Sequence, residues 1–177
     1  SFPTRRSSDL LSDNFVTSLA LDRTGALWIG THDGGLNKFD HASGTFTVFK
    51  NNPKSAASLS SNYITALYYD KQGVLWVGTD NGLNRFDPAT NSFTVFSHVV
   101  SNPASISNNS ISAFLEDSKG NFWIGTDSGL NIFNRTTTAC RLVRGTMQHT
   151  SGLSGNEAVT ALAEDVHGSI WMGTETT

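Results

Sequence analysis

Short apolar stretches alternate with polar, glycine-containing turns along this chain, and no stretch keeps the 3.6-residue spacing of a helix. The segment from Leu59 shows the order. Tyr63–Tyr69 (YITALYY) is rich in β-branched and aromatic residues and predicts a strand. Asp70-Lys71-Gln72-Gly73 predicts a tight hairpin: Asp suits the first position of a type I turn, and Gly takes the left-handed position after it. A second strand is predicted at Val74–Thr79, a turn at Asp80-Asn81-Gly82 and a third strand at Leu83–Phe86. Asp87–Asn91, with Pro88, turns again into a fourth strand, Phe93–Phe96. The same order is predicted at Phe15–Phe49, and at Ser110–Val143 with a degenerate last strand, ACRLV.

The stretch repeats. LWIGT, LWVGT, FWIGT and IWMGT place the four tryptophans, Trp28, Trp76, Trp123 and Trp171, at intervals of 48, 47 and 48 residues. Four short strands per period of this length predict an all-β fold, a β-propeller fragment of three four-stranded antiparallel blades plus the start of a fourth. A parallel β-helix has a far shorter repeat, and a helical repeat needs the helical periodicity that is missing. The expected repeats are residues 11–58, 59–105 and 106–152, with a truncated fourth at 153–177. Three blades do not close a ring, so both ends are expected to be truncations.

Strand alternation puts Leu75 and Val77 on one face of the blade, and Trp76 and Gly78 on the other. A small residue beside the tryptophan leaves room for an indole or a neighbouring backbone. Trp28, Trp76, Trp123 and Trp171, with Gly30, Gly78, Gly125 and Gly173, are therefore expected to be packing between blades. Exposed sugar-stacking tryptophans are the alternative. Ser18, Ala66, Ala113 and Ala161, at one place in each first strand, fit crowding where inner strands converge.

The first ten residues, SFPTRRSSDL, match one reading frame of a common sequencing adapter, TCT TTC CCT ACA CGA CGC TCT TCC GAT CTN. Ser1–Leu10 is therefore expected to be an artefact outside the fold, and it has no apolar core of a signal peptide. Setting Arg5, Arg6 and Asp9 aside reduces 12 Lys and Arg and 15 Asp and Glu to 10 and 14, a net charge near −4. That balance gives no basic footprint for nucleic acid. No apolar run is long enough to cross a bilayer. One cysteine, Cys140, excludes an internal disulfide and a multi-cysteine metal site, and reads as a small strand residue.

The residues that carry the repeat resemble a known family. DRTGALWIGTHDGGLNKF, DKQGVLWVGTDNGLNRF and DSKGNFWIGTDSGLNIF, with DVHGSIWMGT opening a fourth copy, are preceded by L-S-x-N and resemble the two-component regulator propeller repeat. The resemblance covers Leu11–Thr174. It implies an extracytoplasmic, periplasmic sensor region of a membrane-anchored regulator, commonly a hybrid histidine kinase. Such regulators carry propellers of about seven blades, and many respond to polysaccharide fragments. The third repeat departs from the pattern with Ile106 in place of Leu, and the fourth has an extra residue before Val159.

Strand direction puts the second-to-third turns and the connections between blades on one edge. Variable polar loops on a rigid scaffold are where binding usually resides. His32, Asp33, Asp80, Asn81, Asp127 and Ser128 are the ligand candidates, beside the connections KNNPKSAAS, SHVVSNPAS and RGTMQHTSG. Each candidate can equally be a plain turn residue. No catalytic set is expected, and no metal or cofactor: Asp22, Asp70, Asp117 and Asp165 lack the following oxygen ligands of a calcium loop, and an Asp-initiated turn accounts for them. Three functions compete. The first is a sensor fragment binding a glycan or similar solute, partnered by the parent's remaining blades and signalling modules and dimeric in that parent. The second is a structural or protein-interaction propeller. The third is a propeller lyase, which the G-x-[LI]-W element faintly resembles and which needs a converging histidine and acid set.

Overall fold

The computed structural model describes residues 10–143 and 156–175, so the leader (except Leu10, exposed and outside any strand) and the connection RGTMQHTSG lie outside the described residues. Fourteen strands alternate with turns: β1 Val16–Leu21, β2 Leu27–Thr31, β3 Leu36–Asp40, β4 Thr45–Phe49, β5 Ile64–Tyr69, β6 Leu75–Thr79, β7 Gly82–Asp87, β8 Ser92–Phe96, β9 Ile111–Glu116, β10 Phe122–Thr126, β11 Gly129–Phe133, β12 Cys140–Leu142, β13 Val159–Glu164 and β14 Ile170–Thr174. They form three four-stranded antiparallel meanders, β1–β4, β5–β8 and β9–β12, and the two-stranded opening of a fourth, β13–β14. This is the expected blade pattern of an all-β propeller fragment, with strand ends within about a residue of the sequence reading. The degenerate ACRLV stretch still forms a strand, with Cys140 opposite Phe133 and Leu142 opposite Asn131.

Each first hairpin is built as its residues require. Gly25, Gly73, Gly120 and Gly168 have φ of +84°, +86°, +83° and +80°, the left-handed region that glycine enters without steric cost. The preceding aspartate does more than start the turn, which corrects the expectation that turn formation accounts for it. Asp70 Oδ1 accepts the backbone N–H of Gln72 (3.0 Å) and Val74 (2.8 Å), while Oδ2 accepts the indole N–H of Trp76 (2.9 Å). The same indole bond joins Asp22 to Trp28, Asp117 to Trp123 and Asp165 to Trp171. A buried indole donor thus has a fixed acceptor.

The chain divides into two compact units, Ser1–Thr79 with Asn84–Val95, and Asp80–Leu83 with Phe96–Thr177. In the first unit Trp28 lies in a core with Leu67, Leu75 and Val77 of the next blade. Its ring stacks on Phe49 at 5.8 Å and meets the edge of Phe86 at 4.9 Å. In the second unit Trp123 packs in the same relation against Leu162, Ile170 and Met172. Trp28, Trp76 and Trp123 are 2%, 1% and 8% exposed, so they are packing residues rather than a sugar-stacking row. Trp171 is 65% exposed.

At Gly30 and Gly125 the space beside the glycine is filled by neither an indole nor backbone. A Cβ on Gly30 would lie 2.5 Å from Ile64 Cγ2, and one on Gly125 would lie 2.7 Å from Val159 Cγ1. In both units, therefore, the small residue admits the first aliphatic side chain of the next blade's inner strand. The inner strands are also tied by hydroxyls that the sequence reading did not single out. Thr17 Oγ1 donates to Ile64 O at 2.5 Å, and two repeats later Ser112 Oγ donates to Val159 O. Ser18 accepts the Leu67 N–H, which shows the close inner-strand approach that its small size suggested.

Candidate functional site

In each blade the second-to-third turn, β2–β3, β6–β7 or β10–β11, stands beside a buried polar network. Asn37, Asn84 and Asn131 are fully buried. Asn84 Oδ1 accepts the Ser60 N–H (2.9 Å), and its Nδ2 donates to Ser60 Oγ (2.9 Å) and Val77 O (3.2 Å). Ser60 Oγ also shares a hydrogen bond with Thr79 Oγ1 at 2.8 Å. Asn131, Ser107 and Thr126 repeat the arrangement, and Asn37 binds Ser12 likewise. The motif residues L-S, G-T and L-N are therefore one structure: the asparagine anchors the incoming chain to the second and third strands. Every partner is satisfied, so the network holds the rim in place and leaves no polar group for a ligand.

The next blade completes each turn. Gly35 N–H donates to Asn62 O at 3.1 Å, Gly82 N–H to Asn109 O at 2.7 Å, and Gly129 N–H to Glu157 O at 3.0 Å. Glu157 takes this place in the fourth repeat, where the L-S-x-N element carries its extra residue.

The inter-blade connections are less free than their sequences suggested. Asn52 N–H donates to Ser58 Oγ (2.9 Å), and Ser58 Oγ donates to Ser55 O (2.9 Å). Val99, Ser105 and Asn102 make the same closure at 2.9 and 2.8 Å. KNNPKSAAS and SHVVSNPAS thus share one serine-closed loop although only their last two residues, Ala-Ser, are the same. Val100 is 91% exposed.

The candidate residues occupy equivalent turns. Asp80, Asn81 and Asp127 are exposed, and Ser128 is half-buried, with its hydroxyl accepting Asn108 Nδ2 at 2.9 Å. Ser128 also lines a cleft of about 420 Å³ with His98, Val99, Ser107, Leu142 and Asn156. His32 and Asp33 come together with residues that sequence reading did not select. The His32 ring lies 5.4 Å from Phe15 and 4.3 Å from Tyr63, and Nδ1 is 3.1 Å from Asp33 Oδ2. Asp13 Oδ1 accepts the Phe15 N–H (3.1 Å), and Oδ2 accepts the Asp33 N–H (2.9 Å). These backbone donors hold the Asp13 carboxyl below its ordinary value, as an anion. A second cleft, about 410 Å³, opens beside the β1–β2 and β3–β4 turns, where no candidate was selected; Thr24, Lys38, Asp40, His41 and Thr47 line it.

Chemistry of other kinds finds little purchase. Among the described residues no group of three His, Cys, Asp or Glu is arranged to hold a metal ion. Burial pushes the Cys140 thiol up to about 12, which leaves it protonated and a poor nucleophile at neutral pH. No helix among the described residues is long and apolar enough to cross a membrane.

The profile of the "Two component regulator propeller" family matches residues 10–33, 58–81, 105–128 and 152–176, each match running from the L-S-x-N element to the turn after G-T. A protein described as histidine kinase P4, from Formosa agariphila, is 46% identical over 50 residues, which are 28% of this chain and 3% of that relative. An extracellular domain attributed to a hybrid two component system of B. thetaiotaomicron superposes with a TM-score of 0.73 at 23% identity, over 93% of this chain and 28% of that one. Virginiamycin B lyase from Staphylococcus aureus superposes with a TM-score of 0.64 at 13% identity, over 91% of this chain and 49% of the lyase. The chain thus spans well under two thirds of each of these relatives, and both structural likenesses speak for the fold.

Proposed function

Because this chain belongs to the two component regulator propeller family, we propose that it is part of the extracytoplasmic, ligand-sensing propeller of a two-component regulator. The solute it recognises is a glycan or a similar polar molecule. One observation carries the reading: the repeats share their scaffold residues, from the aspartate–indole bond to the Asn–Ser–Thr network, but differ at the rim. His32, Asp80 and Asp127 stand at one place in successive turns, and Phe15, Tyr63 and Ser110 stand at the start of successive inner strands. A scaffold that repeats its packing while varying its rim is suited to selective binding. The remaining blades and signalling modules of a parent regulator are the partners this reading requires.

The test is a thermal-shift and calorimetric screen of the chain. Its panel holds neutral oligosaccharides (cello-, xylo- and mannohexaose) and acidic ones (oligogalacturonate, oligoalginate). Saturable binding of a panel member is the expected result. If none binds, the glycan-sensing reading fails and a protein-interaction propeller takes its place.

A further inference from the structure

The structure assigns the row Phe15–His32–Tyr63, flanked by Asp13 and Asp33, as the stacking platform for a neutral sugar ring; this rests on the sensing reading above. The row is assembled from two blades. Phe15 enters β1 and His32 leaves β2 of the first blade, and Tyr63 enters β5 of the second. The repeats put Ser110 and Ala158 where Phe15 and Tyr63 stand, and Asp80, Asp127 and Glu175 where His32 stands. The scaffold therefore does not require aromatic rings here. Phe15 nonetheless presents 66% of its surface to solvent.

Two features select the ligand. The C–H faces of a pyranose are weakly positive and pack on the negative face of an aromatic ring, so exposed rings in a polar setting favour an amphipathic, ring-shaped solute over a purely apolar one. Beside the rings, Asp13 is held ionised by the backbone N–H groups of Phe15 and Asp33, and Asp33 closes on His32. Carboxylate oxygens with spare lone pairs accept sugar hydroxyls and repel uronate or sulfate groups. A neutral hexose or pentose unit satisfies both conditions.

Calorimetry on the full chain at low micromolar concentration tests this with the same panel. A neutral hexasaccharide should bind, Phe15→Ala and Tyr63→Ala should each weaken it at least tenfold, and Phe15→Trp should retain it. Val100→Ala, at the exposed tip of a connection that carries none of these residues, should leave it unchanged. If only acidic oligosaccharides bind, or if the alanine variants bind neutral ones as well as the parent chain does, the platform is overturned while the sensing reading stands. If no saccharide binds, both fail. Far-ultraviolet circular dichroism of each variant separates lost binding from lost fold, and Phe15, being mostly exposed, can be removed without opening the core.

Discussion

Asp117 shows how much one repeated residue carries. Its Oδ1 accepts the N–H of Lys119 and Asn121, and its Oδ2 accepts the Asn121 amide and the Trp123 indole. Partial burial works against its ionisation, but the side-chain bonds from Asn121 and Trp123 and the two backbone bonds outweigh it and hold the carboxyl below its ordinary value. At Asp22, too, desolvation is outweighed, chiefly by Thr24 and Trp28. Asp117→Ala leaves a buried indole donor and two turn N–H groups without their acceptor, and should cost about 2–4 kcal/mol in urea unfolding. A group whose folded-state value is depressed contributes stability above its unfolded value and loses it as pH falls through the folded one. Stability should therefore hold above about pH 4 and decline below it. Asp117→Asn, which keeps an acceptor but cannot titrate, should show a shallower decline; an unchanged acid slope would remove Asp117 from the account.

At the scale of the element, the blade-to-blade joint depends on a missing side chain. Gly30 faces Ile64, whose Cγ2 and Cβ would lie 2.5 and 2.9 Å from an added methyl. Gly30→Ala must push the second blade's inner strand away and should cost about 1–3 kcal/mol. Trimming the partner should relieve part of this, so Gly30→Ala with Ile64→Ala should be less damaging than the two single effects added together. Simple additivity in a double-mutant cycle would show that the two residues do not meet. The strands themselves were legible in the sequence, because turn residues and β-branched runs act locally: Val74–Thr79 was expected and Leu75–Thr79 is found. The glycine's partner was not, since contact between residues 30 and 64 depends on the stagger of two sheets. The Asn84–Ser60 bond was hidden for a related reason. Its ends lie 24 residues apart, Asn84 in a predicted strand and Ser60 in the L-S-x-N element, and nothing local joins them. In the candidate site His32 and Asp33 stood out as polar turn residues, whereas Phe15 and Tyr63 read as ordinary strand residues until the fold set them on either side of the imidazole.

For the molecule as a whole, the two observed joints define what a blade face needs. Trp28 is covered by Leu67, Leu75 and Val77, and Trp123 by Leu162, Ile170 and Met172. Repeat register makes Leu19 and Ile29 the counterparts of Leu67 and Val77. Leu19 is 59% exposed, its neighbour Leu21 is 64% exposed, and Trp171 is 65% exposed. Ile29 is buried, but Leu19 and Leu21 are open, so the chain carries an uncovered tryptophan and exposed β1 aliphatic side chains of the kind that bury such a tryptophan elsewhere in the same molecule. Repeat units gain much of their stability from neighbours, and open apolar faces of this kind drive association in water. Because one face is complementary to the other and not to itself, the contact between copies is head-to-tail and has no built-in limit. The 177-residue chain should elute from size-exclusion chromatography at an apparent mass that rises with loading concentration. Trp171→Gln and Leu19→Gln should each shift it towards the 19.1 kDa monomer, and combining them should add little, because either change removes one half of the same contact. A concentration-independent monomer with a sharp cooperative melt would show that each blade face is stable in water without a neighbour.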